Sequence, residues 1–273
     1  MAKLETRCFD VYMRCADAMR KGELIKKVSS TDKEYHFQHW FAERLKELKV
    51  ASDTPGRNSY PDFTLVHTPE GYELKALAYP GRQATFDSNS RIPTGEHNGR
   101  RIFYVFGRYP KDKAKGAQEY PLIDLVVCHG DFMNADHDYV HENQSVRGFG
   151  SYGDIMIRDR KMYVAPTPFA LLDGVTSLPT LIIPSEYDLD PRFREVGRLT
   201  RVECDRLVVG YEADLVENKL VPKYEKNPDA GKPHEFVACR LKTESDKPVK
   251  LVPPKVVAEI VAEATAEDEG DDA

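Results

Sequence analysis

The stretch PDFTLVHTPEGYELKA, residues 61–76, constrains the chain more than any other. Two runs rich in strand-forming residues, FTLVHT and YELKALAY, flank Pro69-Glu70-Gly71. Proline and glycine at that centre favour a turn, so the runs read as a β-hairpin. Side chains alternate along a strand, which places Glu73 and Lys75 on one face and turns Leu74 into the core. The hairpin then brings Asp62, at the start of the neighbouring strand, towards that pair.

Two carboxylates converging from adjacent strands suit a hard divalent cation. Mg2+ takes one or two carboxylates and fills its shell with water and phosphate oxygens. A lysine beside the acids can orient or deprotonate an attacking water, or steady charge developing on phosphorus. These are the parts needed for phosphodiester hydrolysis.

Pro61-Asp62, ten intervening residues, then Glu73-Leu74-Lys75 resembles the signature of the PD-(D/E)XK nuclease superfamily, to which many type II restriction endonucleases belong. The resemblance implies an α/β fold, a restriction-endonuclease-like central mixed β-sheet flanked by α-helices, here with a β-rich C-terminal extension. It implies Asp62 and Glu73 as metal-ligand acids, Lys75 as the catalytic lysine and the Leu74 carbonyl as a further ligand to Mg2+. Many members add an acid from the helix before the motif. Glu34 and Glu43 are the candidates, although Glu34 equally fits a capping box with Thr31 and Glu43 a solvated helix face.

The rest of the chain supplies the expected surroundings. Phe9, Tyr12, Cys15, Ala16 and Met19 fall at helical spacing within residues 5–21. Phe37, Phe41, Leu45 and Leu48 form the inward stripe of a second helix. RRIFYVFGRY and PLIDLVVCHG read as buried strands, DIMIRDRKMYVA as a hairpin, and RLVVGYEADL as a strand in a mostly β second half. No linker or repeat divides the chain, so residues 1–260 are expected to form one nuclease domain. Its catalytic core spans about 25–130, and recognition and dimerisation elements occupy the remainder. Residues 261–273 read as a disordered acidic tail.

A net charge of −6 argues at first against a polyanionic partner, but six acids and no base follow Val261. Residues 76–110 hold Arg82, Arg91, Arg100, Arg101 and Arg108 against Asp87 and Glu96, a net +3 directly after the motif. Arginines without lysine suit bidentate contact with phosphate or guanine, which makes Arg100 and Arg101 candidate DNA contacts, or else form a solvated surface. Arginine bonds guanine bidentately and Asn or Gln does so for adenine, so Arg82, Gln83, Asp87, Asn89 and Arg91 are candidate base readers. The same loop also fits Asx turns. Arg158 and Arg160, around Asp159, are either guanine readers or an exposed turn.

Other chemistries fit less well. Gly148, Gly150 and Gly153 spell a dinucleotide fingerprint, but a strand is expected after them. Cys128, His129, Asp131, Asp136, His137, Asp138 and His141 could gather a zinc ion, yet lack the paired spacing of a zinc site. A Walker loop and a GxSxG elbow are both missing, which leaves no nucleotide cofactor and no acyl-transfer nucleophile. Apolar runs stay far below the roughly 18–20 residues of a membrane span. Five scattered cysteines and a charged N-terminus predict a soluble cytoplasmic protein.

Double-stranded DNA is therefore the expected partner, and Mg2+ the expected cofactor. The resemblance also implies a homodimer acting on a palindrome. A structure-specific repair or recombination nuclease of the same fold is the alternative within enzymes. A DNA-binding module with an inactive acid-acid-lysine set is the alternative outside them.

Overall fold

The computed structural model describes residues 6–26, 33–53, 60–79, 86–87, 93–110, 119–135, 156–158, 161–164, 176–177, 179–216, 219–244 and 249–250. Two helices, α1 (Cys8–Arg20) and α2 (Lys33–Glu47), accompany a nine-stranded sheet. The strands of that sheet are β1 (Ser52–Asp53), β2 (Phe63–Leu65), β3 (Glu70–Tyr79), β4 (Glu96–His97) and β5 (Arg100–Pro110). They continue with β6 (Asp124–His129), β7 (Thr180–Pro184), β8 (Phe193–Val202) and β9 (Pro233–Leu241). Their order is β8-β9-β7-β6-β5-β3-β2-β1, with β4 also paired to β5.

The sheet is mixed, so the protein is α/β. β3 runs parallel to β5 and β6 parallel to β7, while the other pairs are antiparallel. Every residue of the apolar run in β6 is buried, as expected of a strand covered on both faces. Asn98 and Gly99 both have positive φ, 51° and 69°, which gives the two-residue turn that joins β4 to β5.

Each face carries its own core. α1 and α2 pack with Tyr72, Leu74, Phe103, Val105, Val127 and Leu181 on one side. Ile102, Tyr104, Phe106, Val126, Cys128 and Ile182 face the other, where Phe132 and Phe236 join them. Of the expected α2 stripe, Phe37, Phe41 and Leu45 are buried, and Leu48 packs against the core from a half-buried position. Trp40 was not part of that stripe, yet it is buried and its indole N–H donates to the Glu23 carbonyl at 3.0 Å. Arg14 donates to both Glu47 and Glu23, and Arg44 donates to Glu47 and forms an ion pair with Glu23, which ties α1 and the chain after it to α2.

The second half differs from a β-rich extension. β7, β8 and β9 complete the central sheet, because β7 pairs in parallel with β6 through Thr180–Val126, Leu181–Val127 and Ile182–Cys128. The N-terminal helix then closes over them, with Phe9 and Tyr12 5.1 and 5.7 Å from the Phe193 ring. Between β8 and β9 the expected strand RLVVGYEADL forms Arg206–Asp214, which pairs with Lys219–Lys226 as a separate hairpin. The hairpin at DIMIRDRKMYVA is present as Met156–Arg158 and Lys161–Val164. The acidic tail, the Gly148–Gly153 segment and the Thr31 end of the capping box lie outside the described residues.

The turn of the motif hairpin falls earlier than expected. β3 begins at Glu70, so the chain reverses over Val66–Pro69, with Thr64 opposite Gly71 and Phe63 opposite Tyr72. Gly71 is needed there for space. A Cβ at that position would stand 2.5 Å from Pro61 Cγ and 3.1 Å from Ile102 Cδ1. Gly71→Ala is therefore expected to lower stability by about 1–3 kcal/mol, as overpacking does. The measurement is the denaturant midpoint, with the slope of the transition unchanged.

Candidate active site

The motif converges as the strand alternation requires. Leu74 is fully buried on the helix face, while Glu73 and Lys75 lie on the opposite face with 12% of each side chain exposed. Lys75 Nζ is 2.8 Å from Glu73 Oε1. Asp62 reaches the pair from the entry to β2: its N–H donates to Glu73 Oε2 at 3.3 Å, and its Oδ2 accepts the Leu74 N–H at 2.7 Å. Asp62 Oδ1 accepts from Gln38 Nε2 of α2 at 2.8 Å. An acid, an acid and a lysine from two adjoining strands thus meet at one half-buried spot.

Two tyrosines border it. Tyr104 stands opposite Glu73 in the β3–β5 register, and its hydroxyl is 2.9 Å from that of Tyr60. Burial first, then Tyr60 and Glu73, push the Tyr104 phenol well above its ordinary range. It stays neutral and can donate. Neither tyrosine was singled out by sequence, although Tyr60 directly precedes Pro61-Asp62 and the register of β5 would have supplied Tyr104.

The donor set bears on the cation. Among the described residues, no three His, Cys, Asp or Glu side chains gather so as to hold a metal ion. Two carboxylates alone do not make a protein-closed zinc site, but they fit Mg2+, which completes its shell with water and phosphate oxygens. Asp62 and Glu73 are the residues that would hold it.

The candidate further acids behave differently. Glu43 is exposed, 3.9 Å from Lys46 on the same helix, and is not brought to the site. Glu34 falls within α2, but its side chain lies outside the described residues. Gln38 of α2 does reach the acids, through its hydrogen bond to Asp62. Its signal was weak, because position 38 flanks the apolar stripe without belonging to it.

The arginines after the motif are less available than their count suggests. Arg100 donates to the Leu65 carbonyl at 2.8 Å, and Arg101 Nη2 is 3.3 Å from Glu70 Oε1. Arg108 is buried beside Asp124 across the β5–β6 ladder. Three of the five thus serve the fold. Arg82, Gln83, Asn89, Arg91 and Arg160, with the side chains of Asp87 and Arg158, lie outside the described residues. Backbone pairing nonetheless joins the two candidate base-reading segments, since Phe86–Asp87 pairs with Val164 and Tyr163 in one three-stranded sheet.

The zinc candidates do not assemble where they are described. Cys128 and His129 are neighbours on a strand and face opposite sides, and burial pushes the Cys128 thiol up. His129 Nδ1 accepts the Asp131 N–H at 3.3 Å, capping the short 3-10 turn Gly130–Phe132. Asp136, His137, Asp138 and His141 lie outside the described residues. Burial, with Arg101 adding to it, lowers the His129 pKa to about 3. The unfolded imidazole titrates near 6.5, so between those values the unfolded chain binds the extra proton. Stability from this group is whole above pH 6.5 and is lost as pH falls towards 3, about 2 kcal/mol of it by pH 5. His129→Asn keeps an acceptor for the cap and is expected to flatten the fall in melting temperature between pH 7 and 5.

No described helix is long and apolar enough to cross a membrane. No protein-family model matches the chain. No curated protein matches it either.

Proposed function

We propose that the protein is a Mg2+-dependent, site-specific endonuclease of the PD-(D/E)XK type, cutting double-stranded DNA in the cytoplasm as a homodimeric restriction enzyme. The observation that carries this is the convergence of Asp62, Glu73 and Lys75: the Asp62 backbone N–H donates to Glu73 Oε2 at 3.3 Å, the Asp62 carboxylate accepts the N–H of Leu74 between the other two at 2.7 Å, and Lys75 Nζ is 2.8 Å from Glu73 Oε1. The sheet that presents them is mixed, with helices α1 and α2 against the face opposite Glu73 and Lys75. That arrangement is compatible with the restriction-endonuclease-like fold.

A bound Mg2+ supplies positive charge to the scissile phosphate and lowers the pKa of water. The chain's own groups do the rest. Asp62 and Glu73 are the residues whose anionic oxygens would hold the dication. Lys75, on the face of Glu73, offers positive charge to phosphate oxygens as charge develops and can orient the attacking water. Tyr60 and Tyr104 border the site with a pair of hydroxyls 2.9 Å apart.

The test is digestion of a long unmethylated DNA of known sequence by the purified protein, with Mg2+, with EDTA and with Lys75→Ala. Discrete fragments that need Mg2+ and vanish in the variant are expected. DNA left intact throughout, or cut equally by the variant, overturns the proposal for linear duplex.

A further inference from the structure

We propose that Gln38 is a positioning residue that sets the plane of the Asp62 carboxylate for its cation; this rests on the nuclease function proposed above. The two oxygens of Asp62 are held from different elements. Oδ1 accepts from Gln38 Nε2 at 2.8 Å, and Oδ2 accepts the Leu74 N–H at 2.7 Å. Rotation of a carboxylate about its last bond is broad and weakly restrained. Two donors on opposite oxygens remove that freedom, because turning the group breaks both hydrogen bonds together.

Packing explains why Gln38 arrives where it does. One residue earlier, Phe37 fits against Gly107 of β5, where a Cβ would meet the Phe37 ring at 2.6 Å. Three residues later, the Phe41 ring lies 5.2 Å from Phe63, the neighbour of Asp62, and 5.4 Å from Tyr72. Those two contacts fix both the rotation and the height of α2 over the sheet. The amide between them is thereby delivered to Asp62 by the core itself.

The chemistry of the side chain also matters. An amide nitrogen donates without carrying charge, so Gln38 orients the acid while leaving the negative charge of the Asp62–Glu73 pair whole for a dication. A carboxylate at position 38 would repel Asp62, and a lysine would compete with the metal. Partners that orient metal ligands in this way change metal affinity or activity by about 10- to 100-fold when removed.

The discriminating variant is Gln38→Met, which keeps the length and helix propensity of the side chain and removes the donor. Three quantities separate positioning from support of the fold. The unfolding midpoint in EDTA is expected to match wild type. Calorimetric affinity for Mn2+ without DNA is expected to fall by about 10- to 100-fold. The Mg2+ concentration for half-maximal cleavage is expected to rise by a similar factor, with the KM for DNA unchanged.

Should methionine lower the midpoint in EDTA, Gln38→Ala carries the same comparison. A wild type that binds Mn2+ and cuts DNA, alongside folded variants that equal it in both, overturns the role of Gln38 and leaves the nuclease standing. A wild type that neither binds Mn2+ nor cuts DNA overturns the nuclease function, and this role with it.

Discussion

Alanine at Glu73 is expected to slow DNA cleavage by at least about 10²- to 10³-fold, the loss typical of one preorganised charged or donor group. The same change removes the 2.8 Å partner of Lys75 and the acceptor of the Asp62 N–H. Its effect therefore spreads over all three members of the set. Asp62→Ala and Glu73→Ala are expected to be strongly non-additive, the double variant cutting no more slowly than the worse single one. Stability is expected to change little, because the pair lies on the sheet face away from the helices, outside both apolar clusters, with 12% of each side chain exposed. DNA affinity in EDTA is expected to hold or rise, since a negative charge has been removed. Single-turnover cleavage, a gel shift and a melting curve separate these effects. A Glu73→Ala protein that cuts at the wild-type rate would show the motif to be a surface ion pair.

What was legible in the sequence was local. Period-two alternation placed Glu73 and Lys75 together and Leu74 beneath them, and that requires only knowledge that residues 72–79 form a strand. Period-3.6 spacing likewise located the inner stripe of α2. The illegible parts depend on long-range pairing. Nothing near Thr180 signals that it lies beside Val126, so β7 to β9 read as an extension when they complete the sheet. Charge counting is blind to pairing for a related reason: Arg100, Arg101 and Arg108 are near one another in sequence, but alternation and register send them to a carbonyl, a buried glutamate and an aspartate. Gln38 was missed because an amide on the flank of an apolar stripe looks solvated until a sheet is placed under it. The difference in stakes between two glutamates three residues apart was also hidden.

Those two are Glu70 and Glu73 of β3, and odd spacing on a strand sends them to opposite faces. Glu73 faces the candidate active site. Glu70 faces the helices and is completely buried. Its carboxylate accepts from the Thr6 hydroxyl, the Arg7 N–H at 3.1 Å and the Tyr72 hydroxyl at 3.0 Å, and lies 3.3 Å from Arg101 Nη2. Arg7 is the N-cap of α1, so a buried negative charge meets the positive end of that helix. Glu70→Ala would strip an acceptor from each of these donors and remove the buried carboxylate that faces Arg101. Removing one partner of a buried pair destabilises by about 3–5 kcal/mol. In a chain of this size that corresponds to a fall of roughly 10 °C in melting temperature. Glu70→Gln keeps an acceptor and is expected to lose about half as much. Glu73→Ala, on the same strand, is expected to leave the melting temperature near wild type. Melting curves for the three variants test the division, and a Glu70→Ala protein as stable as Glu73→Ala would refute the anchoring of α1 by this carboxylate.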